Sequence, residues 1–295
     1  MPQLSIIIPF CNEKEQVEKT VISIIENSIT SPEIILIDDA SDDFYDYFKI
    51  AKKYGCVFVH HANRKGVAGS RNEGVNVSTA ANFLFLDAHM KMYEKAFDAN
   101  LIKLLEENDK CVLCAQTISI DEQHNIINNE VSWGAEIDKY NGFKAKWVYK
   151  DAHVDKNIYE IDCILGAGYC MKKEYYLYLH GLNGLECYGC DEEMLSTKVK
   201  KTGGKCLFVK NWRTGHLYRV NAKSNPNPFH RSLLWSCYNR ILTVKLCFDK
   251  IEEEKIIEGI KTTFEQVYSE ANKQIEKKGK WIEEEKKYLE SIFIS

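Results

Sequence analysis

Short apolar runs alternate with segments of helical period along the first 115 residues. The runs are continuously apolar, which is typical of parallel strands buried on both faces. The segments between them repeat apolar residues every three or four positions, as helices packed on a sheet do. This alternation predicts an α/β fold with a doubly wound, mostly parallel sheet and right-handed crossovers. The predicted strands are Leu4–Ile8, Ile34–Ile37, Val57–His60, Phe83–Leu86 and Cys111–Gln116, and the predicted helices are Glu13–Asn27, Asp43–Tyr54, Val67–Ser78 and Lys95–Glu107.

The second half of the chain is less regular. Residues 118–160 are rich in Trp, Tyr and Asn, and we interpret them as an excursion of loops. A helix is predicted over Asp191–Lys201 and a strand over Lys205–Val209. Near the end, dense Glu and Lys accompany apolar residues at helical spacing, which predicts a solvated helical tail. We therefore expect one domain over residues 1–248, with halves 1–115 and 116–248, and a charged helical tail over 249–295.

The composition narrows the classes of protein. The 295 residues carry a formal net charge of −4, so no excess of positive charge points to a nucleic-acid partner. The 11 scattered cysteines are not a disulfide framework in a chain of this length, and they favour a reducing compartment. The start MPQLSIIIPF lacks the features of a signal peptide, and no run of about 18 apolar residues occurs. We expect a cytoplasmic protein without a transmembrane segment.

Polar residues follow the predicted strands at the sheet edge where ligands bind in such folds. Asp87-Ala88-His89 comes directly after the apolar run Phe83–Leu86. In an extended turn, residues two positions apart point the same way, so a carboxylate and an imidazole converge on one ion. Such a pair suits Mn²⁺ or Mg²⁺ that also binds diphosphate oxygens. The alternative is an ordinary helix-capping Asp beside a surface His.

A second histidine motif stands near residue 216. Gly215-His216-Leu217-Tyr218-Arg219 places a His after a Gly and an Arg three positions further on. His216 would supply a third metal ligand, and the Arg219 guanidinium would bind phosphate. A lone histidine is more often structural, so this motif gains weight only together with Asp87 and His89.

Three consecutive acids open the predicted helix at Asp191. Asp191, Glu192 and Glu193 follow Tyr188-Gly189-Cys190. Glu192 or Asp191 is a candidate general base that would take the proton of an attacking nucleophile. The alternative is that the acids only complement the positive end of the helix dipole.

Two further features, the segment around Arg71 and two pairs of cysteines, each have a functional and a purely structural interpretation. Arg71 lies in Asn63–Asn72, a turn followed by a helix start, where cations would meet a nucleotide or sit in solvent. The pairs Cys111/Cys114 and Cys187/Cys190 have zinc-ligand spacing. However, the first pair falls in a predicted strand, where residues three apart face opposite sides, so we expect buried free thiols.

Three segments of the first half, taken in order, resemble glycosyltransferase family 2, whose members have the GT-A fold. The segments are Ser5–Glu13 (SIIIPFCNE), Ile37–Asp43 (IDDASDD) and Asn63–Gly74 (NRKGVAGSRNEG). The resemblance implies a Rossmann-like domain that binds a nucleotide sugar. It places Pro9, Asn12, Glu13, Asp39 and Arg71 at the nucleotide, with Asp39 as the uracil contact.

The second half is similar to the polypeptide N-acetylgalactosaminyltransferases and, more loosely, to the β-1,4-galactosyltransferases. Those families carry a glycine-rich segment, a Gly-Gly-Glu motif and a late metal-binding histidine. The corresponding segments here are Gly166–Tyr169, Tyr188–Glu192 and Gly215–Arg219. The resemblance implies that Gly168, Asp87 and Arg219 lie at the bound donor, with the metal on Asp87, His89 and His216.

The acidic motif departs from the pattern of those families in two ways. Cys190 stands where a second glycine is usual, and Asp191-Glu192 reverses the usual order of the acids. Family 2 members invert the anomeric centre, whereas N-acetylgalactosaminyltransferases retain it. The acceptor and the stereochemical outcome therefore stay open, and in a retaining enzyme Glu192 would not be a simple base.

These features together predict a metal-dependent glycosyltransferase that uses a UDP-sugar donor. The expected acceptor is a hydroxyl or thiol of a peptide, protein or glycan, and Trp133, Trp147 and Tyr149 are candidates to stack on it. The alternatives are a surface-polysaccharide sugar transferase of the same fold and a non-catalytic sugar-nucleotide-binding protein. A dinucleotide oxidoreductase is disfavoured because no G-x-G-x-x-G follows the first strand. The C-terminal helices either pair two chains in a homodimer or brace the domain.

Overall fold

The computed structural model describes residues 2–219 and 232–294, which contain the elements predicted from the pattern and several more. In chain order they are β1 (Leu4–Phe10), α1 (Glu15–Asn27), β2 (Glu33–Asp38), α2 (Tyr47–Tyr54), β3 (Val57–His60), α3 (Gly66–Val77), β4 (Asn82–Leu86), β5 (Met90–Met92), α4 (Phe97–Glu107), β6 (Cys111–Ile120), β7 (Ile126–Val131), β8 (Ala135–Asp138), β9 (Lys144–Trp147), β10 (Ile158–Glu160), β11 (Gly168–Lys172), α5 (Lys173–Tyr178), α6 (Asp191–Lys201), β12 (Lys205–His216), α7 (Leu233–Cys247), α8 (Lys250–Thr263), α9 (Glu265–Lys277) and α10 (Gly279–Ile292).

One mixed sheet carries the fold, in the order β10-β12-β6-β11-β4-β1-β2-β3. The pairs β1–β2, β1–β4, β2–β3 and β6–β12 are parallel, as the helix-strand alternation predicts. Strand β11 runs antiparallel between β4 and β6 and joins the two parallel blocks. The short strand β5 leaves the main path and pairs antiparallel with the end of β12.

The sheet lies between two apolar layers, and alternate residues of each strand belong to different layers. In β1, Ile6 and Ile8 pack with α1, α2 and α4, whereas Ile7 packs with α3 and the helices of the second half. The same alternation separates Cys111 from Cys114 in β6. Strands buried on both faces explain the continuously apolar runs in the sequence.

Most element boundaries differ from the predictions by a few residues. Helix α2 begins at Tyr47 because the Asp46 carboxylate caps it by accepting from the Lys49 amide. The prediction of loops over residues 118–160 is wrong in part, because strands β7 to β10 lie within that segment. Strand β12 extends to His216, well past the predicted end, because β5 and β6 continue to pair with it.

The charged C-terminal helices pack against the rest of the chain. Ile260, Ile275 and Leu289 are fully or almost fully buried, and they share one apolar layer with α6 and α7. The helical stripe in the sequence therefore has a partner within the chain, and it braces the domain. Pairing of two chains through these helices stays a prediction.

Crossing a bilayer requires a long, apolar helix. Across residues 2–219 and 232–294, none of the helices meets that requirement.

Candidate active site

A cavity of about 620 Å³ opens where β1, β2, β4 and β12 end. Pro9, Glu13 and Asp39 line it from the first half, and Asp191 and Glu192 line it from the start of α6. The remaining lining comes from both halves and includes Cys11, Arg64, Gly66, Ser70, Arg71, Asp87, His89, Trp147, Gly166, Tyr188, Glu193, His216, Tyr218, Arg219 and Arg240.

Asp87, His89 and His216 form a compact group in this cavity. One donor atom from each lies within 4.8 Å of the others, a spacing that fits three ligands of one ion. Among the residues that the structure describes, this is the one such group of His, Cys, Asp and Glu. The three predicted metal ligands are therefore together.

Two pieces of sheet bring these ligands together across more than a hundred residues of sequence. Asp87 follows β4 directly, and the chain then turns into β5 at Met90. His216, at the end of β12, is the register partner of Met90, and the Leu217 amide donates to the His89 carbonyl at 3.1 Å. The β5–β12 pairing, which the sequence pattern did not predict, therefore sets the position of the third ligand.

The ionisation of this group suits a cation. Burial acts to raise the pKa of Asp87, but the hydrogen bond with His216 and the charge of Arg71 lower it to about 2. Burial lowers the pKa of His216, which favours the neutral imidazole that metals bind. The buried Nδ1 of His216 has no hydrogen-bond partner among the described residues, whereas Nε2 lies 3.3 Å from Asp87.

Arg71 is enclosed between the metal ligands and the acidic helix. Its guanidinium pairs with Asp191 and lies 3.2 Å from Asp87, and it also donates to the Gly166 carbonyl and the Tyr169 hydroxyl. The side chain is almost fully buried. Arg71 therefore orders both carboxylates in this conformation, and its predicted contact with the nucleotide stays a prediction.

The three acids of α6 have different partners. Asp191 pairs with Arg71, and Glu193 accepts from the Ala145 amide at 2.9 Å and lies 3.5 Å from Arg240. Glu192 is half-buried in the cavity. Burial and the charges of Asp191 and Glu193 raise its pKa well above the ordinary range. Asp191 is thus paired with a cation, whereas Glu192 has a raised pKa; the role of either acid as a general base stays a prediction.

The absence of a side chain at Gly166 leaves room for the Glu192 carboxyl group. A Cβ added at Gly166 would collide with the Glu192 carboxyl. Gly168, predicted at the donor site, instead begins β11 opposite Leu86 and lies outside the cavity lining. The glycine-rich segment was thus found from the sequence, but the glycine that faces the cavity is two residues earlier.

Asp39 is held by three donors. Its carboxylate accepts from the backbone amides of Lys65 at 2.7 Å and Gly66 at 2.9 Å, and His61 Nδ1 lies 2.7 Å away. Asn12 lies outside the cavity lining and exchanges hydrogen bonds with Asp42. The roles of Asp39 and Asn12 in nucleotide binding stay predictions.

Glu13 and Arg219 form a two-pronged ion pair, with N–O distances of 2.7 and 2.5 Å. His89 Nδ1 lies 3.2 Å from the same carboxylate. Although burial acts to raise the pKa of Glu13, His89 and Arg219 lower it to about 2. The pair ties the loop after β1 to the end of β12, which borders the metal ligands. The predicted phosphate contact of Arg219 stays a prediction.

An aromatic wall borders the cavity beside His216. The rings of Trp147 and Tyr218 lie 5.5 Å apart, and Tyr149 is 6.4 Å from Trp147. Trp147 and Tyr149 are exposed. Trp133, also a candidate from the sequence, instead packs against the apolar layer near Phe208.

The eleven cysteines are all free thiols, and most of them are buried. Burial raises the pKa of Cys114 to about 12, which makes it an inert core residue. In the part of the chain that the structure describes, no cysteine belongs to a metal-ligand group. The expectation of buried thiols is confirmed for Cys111, Cys114 and Cys190, whereas Cys187 is half-buried.

The family model described as glycosyl transferase family 2 matches residues 5–158, just over half of the chain. The chain belongs to glycosyl transferase family 2. The matched region includes β1, β2, β4 and the Asp87–His89 turn, so it covers three of the four strand ends at the cavity, and β12 lies outside it. The resemblance stated from Ser5–Glu13, Ile37–Asp43 and Asn63–Gly74 is confirmed.

Several curated relatives share modest identity with the chain. Human polypeptide N-acetylgalactosaminyltransferase 3 is 27% identical over 86% of this chain and 42% of its own length. Human polypeptide N-acetylgalactosaminyltransferase 10 is 27% identical over 74% of this chain and 38% of its own. Drosophila melanogaster N-acetylgalactosaminyltransferase 6 is 26% identical over 83% of this chain and 38% of its own. The chain thus spans less than half the length of these relatives.

Two solved structures share the fold. GalNAc-T7, crystallised with UDP, GalNAc and Mn²⁺, superposes with a TM-score of 0.71 at 22% identity, over 85% of this chain and 49% of that one. Residues 1–349 of S. aureus TarS, in complex with UDP-GlcNAc, superpose with a TM-score of 0.56 at 12% identity, over 87% and 70%. These similarities confirm the GT-A fold predicted from the sequence.

Proposed function

We propose that this chain is a metal-dependent glycosyltransferase that moves a sugar from a UDP-sugar to an acceptor. The observation that carries the proposal is the Asp87, His89 and His216 group, whose donor atoms lie within 4.8 Å of one another inside a large cavity. Membership of glycosyl transferase family 2 supports the reaction class. The relatives named as N-acetylgalactosaminyltransferases and the neighbours solved with UDP or UDP-GlcNAc support the donor class.

The residues present fit a divalent ion such as Mn²⁺. An ionised carboxylate and two imidazoles form a mixed oxygen and nitrogen donor set, and His216 Nε2 lies 3.3 Å from the Asp87 carboxylate. Asp87, His89 and His216 would hold the ion, which supplies neutralisation of the charge on the departing diphosphate. GalNAc-T7 was solved with Mn²⁺, which supports the choice of metal.

The other residues of the site would hold the donor and the acceptor in position. Asp39 and Pro9 border the end of the cavity formed by β1 and β2, where we place the nucleotide. Arg71 keeps Asp87 and Asp191 in place, and Glu13 with Arg219 encloses the neighbourhood of His89. Holding the reactants in a fixed geometry supplies much of the rate enhancement in group transfer.

Glu192 is our candidate to accept the proton of the acceptor. Its carboxyl faces the cavity, and its raised pKa makes its ionised form a stronger base than an ordinary carboxylate. In an inverting reaction it would take the acceptor proton as the nucleophile attacks the anomeric carbon. In a retaining reaction it would instead orient the acceptor, and the anomeric configuration of the product distinguishes the two.

The acceptor would approach along the wall formed by Trp147, Tyr149 and Tyr218. Exposed aromatic faces beside a polar site suit either a sugar ring or a peptide segment. The curated relatives are named as polypeptide-modifying enzymes, which favours a peptide or protein acceptor. We also retain the cytoplasmic location as a proposal, since eleven free thiols suit a reducing compartment.

A panel of UDP-sugars with Mn²⁺, read by release of UDP, tests the proposal. We expect one or two donors, with UDP-GalNAc and UDP-GlcNAc as first choices, to give release that a chelator abolishes. Peptide, thiol and glycan acceptors added separately should raise the rate for one class. Tight UDP-sugar binding without release under every condition would mean a non-catalytic binding protein.

A further inference from the structure

The loop that enters the acidic helix has an unusual backbone. Cys187 and Cys190 both have positive φ, at 54° and 69°, and Gly189 lies between them at 93°. The Cβ of cysteine disfavours this left-handed region, so both conformations are intrinsically unfavourable. Residues in such conformations persist when surrounding contacts hold them. We call residues 186–190 the entry loop, because α6 begins directly after it at Asp191.

One side chain of α7 supplies most of those contacts. Asn239 is 1% exposed, and its Oδ1 accepts from the Glu186 amide at 2.8 Å. Its Nδ2 donates to the carbonyls of Glu186 at 2.8 Å, Tyr188 at 3.3 Å and Gly189 at 2.8 Å. An asparagine amide has both a donor and an acceptor group, and here each is used on the same short stretch of backbone.

The opposite side of the entry loop contacts the first half of the domain, residues 1–115. The Val67 amide donates to the Cys187 carbonyl at 2.8 Å, and a Cβ added at Gly66 would collide with the Cys187 backbone. The entry loop therefore lies between α3, whose first residues bind Asp39, and α7, which carries Asn239. A shift of the loop on either side would move the start of α6.

We propose that Asn239 is a positioning residue for the reaction: it holds the entry loop so that Glu192 enters the cavity. The inference rests on the proposed function, because it assigns Asn239 a role through Glu192. Asn239 does not line the cavity and acts only through the backbone that it binds. The hydrogen bonds from Asn239 to the carbonyls of residues 188 and 189 fix the turn into α6.

Asn239→Asp and Asn239→Ala test the proposal, with Leu246→Ala as a control. The aspartate matches the volume of asparagine, but its carboxylate would face three carbonyl oxygens. We expect kcat to fall about 100-fold in both Asn239 variants, because small misplacement of a reacting group has effects of that size. The affinity for Mn²⁺ and UDP should change less than about 3-fold, because Asp39, Asp87 and His216 lie on other elements. Leu246, fully buried on the same helix, should lower stability and leave kcat of the folded enzyme unchanged.

Amide hydrogen exchange separates this inference from the proposed function. We expect residues 186–190 to exchange at least about 10-fold faster in both Asn239 variants and at the wild-type rate in Leu246→Ala. Wild-type kcat and exchange in Asn239→Asp would overturn the inference, since only the volume of the side chain would then matter. Equal losses of kcat and UDP affinity would overturn it as well. Absence of turnover in the wild type contradicts the proposed function, and the exchange data alone then decide whether Asn239 holds the loop.

Discussion

Two carboxylates that line the same cavity, those of Asp87 and Glu192, have opposite electrostatic surroundings. Asp87 lies beside Arg71 and His216, and its pKa falls to about 2 despite burial. Glu192 follows one acid and precedes another, and burial together with those charges raises its pKa. The nearby arginines pair with Asp191 and Glu193. Partners, and not residue type, therefore suit Asp87 to hold a cation and Glu192 to exchange a proton.

Removing one of the proposed metal ligands should lower activity more than any other change to the site. In His216→Ala or Asp87→Asn, we expect Mn²⁺-dependent UDP release to fall at least about 1000-fold, because charge neutralisation by the ion contributes several kcal/mol. Release of UDP and Mn²⁺ binding in the presence of UDP are the measurements. His153→Ala is the matched control, since that ring packs on Tyr159. Full activity and Mn²⁺ affinity in His216→Ala would refute the metal assignment.

Glu192→Gln should remove the proposed proton acceptor without changing the proposed metal site at Asp87. We expect kcat to fall about 100-fold, the usual contribution of a general base, with Mn²⁺ and UDP affinity retained. Steady-state kinetics and titration with UDP measure the two effects separately. Glu174→Gln, an exposed acid of α5, should have wild-type kinetics. If Glu192→Gln keeps its kcat, another group accepts the proton.

The aromatic wall should contribute less than either carboxylate. For Trp147→Ala, we expect the KM for the acceptor to rise about 5-fold, because an aromatic contact contributes about 1 kcal/mol beyond area burial. The KM for the donor should not change. The exposed Tyr140, outside the cavity lining, provides the control as Tyr140→Ala. An unchanged acceptor KM would place the acceptor elsewhere.

The smallest effect concerns stability and pH. A carboxyl with a raised pKa in the folded state destabilises that state once the pH exceeds its unfolded pKa, and this cost disappears as the pH falls. Glu192→Gln removes the ionisable group, so we expect it to be more stable than the wild type at pH 8. The gain should shrink at pH 5, where the carboxyl is more fully protonated. Urea unfolding at both pH values measures it, and a gain independent of pH would argue against a raised pKa.

The sequence predicted the first half of the fold more fully than the second. Strands β1, β2 and β4 have apolar runs that signal burial on both faces, and a helical pattern follows each of β1, β2 and β3. By contrast, β5 is three residues long and β11 runs antiparallel between distant strands. Local pattern does not record which strand a segment pairs with, so these two strands were not predicted.

The same reason limits prediction of the site. Asp87 and His89 share a short motif, and His216 could be added because its own motif is recognisable. Asn239 carries no such signal, because its role arises from contacts made about 50 residues away in the chain. Ion pairs between distant residues were also not predicted, because the sequence alone does not show that Glu13 and Arg219 bind each other. Residue types were thus easier to infer than their partners.

The position of β11 also has a consequence for the order of folding during synthesis. Strand β4 is paired on one side by β1, and its other side is completed only by β11, about eighty residues later in the chain. Strand β12 follows later still and brings His216 beside Asp87. A nascent chain that has emerged only as far as α4 contains the strand ends of β1, β2 and β4 that line the cavity but lacks His216, the third residue of the proposed metal site. Tight metal binding in such a site would therefore report that nearly the whole sheet has assembled.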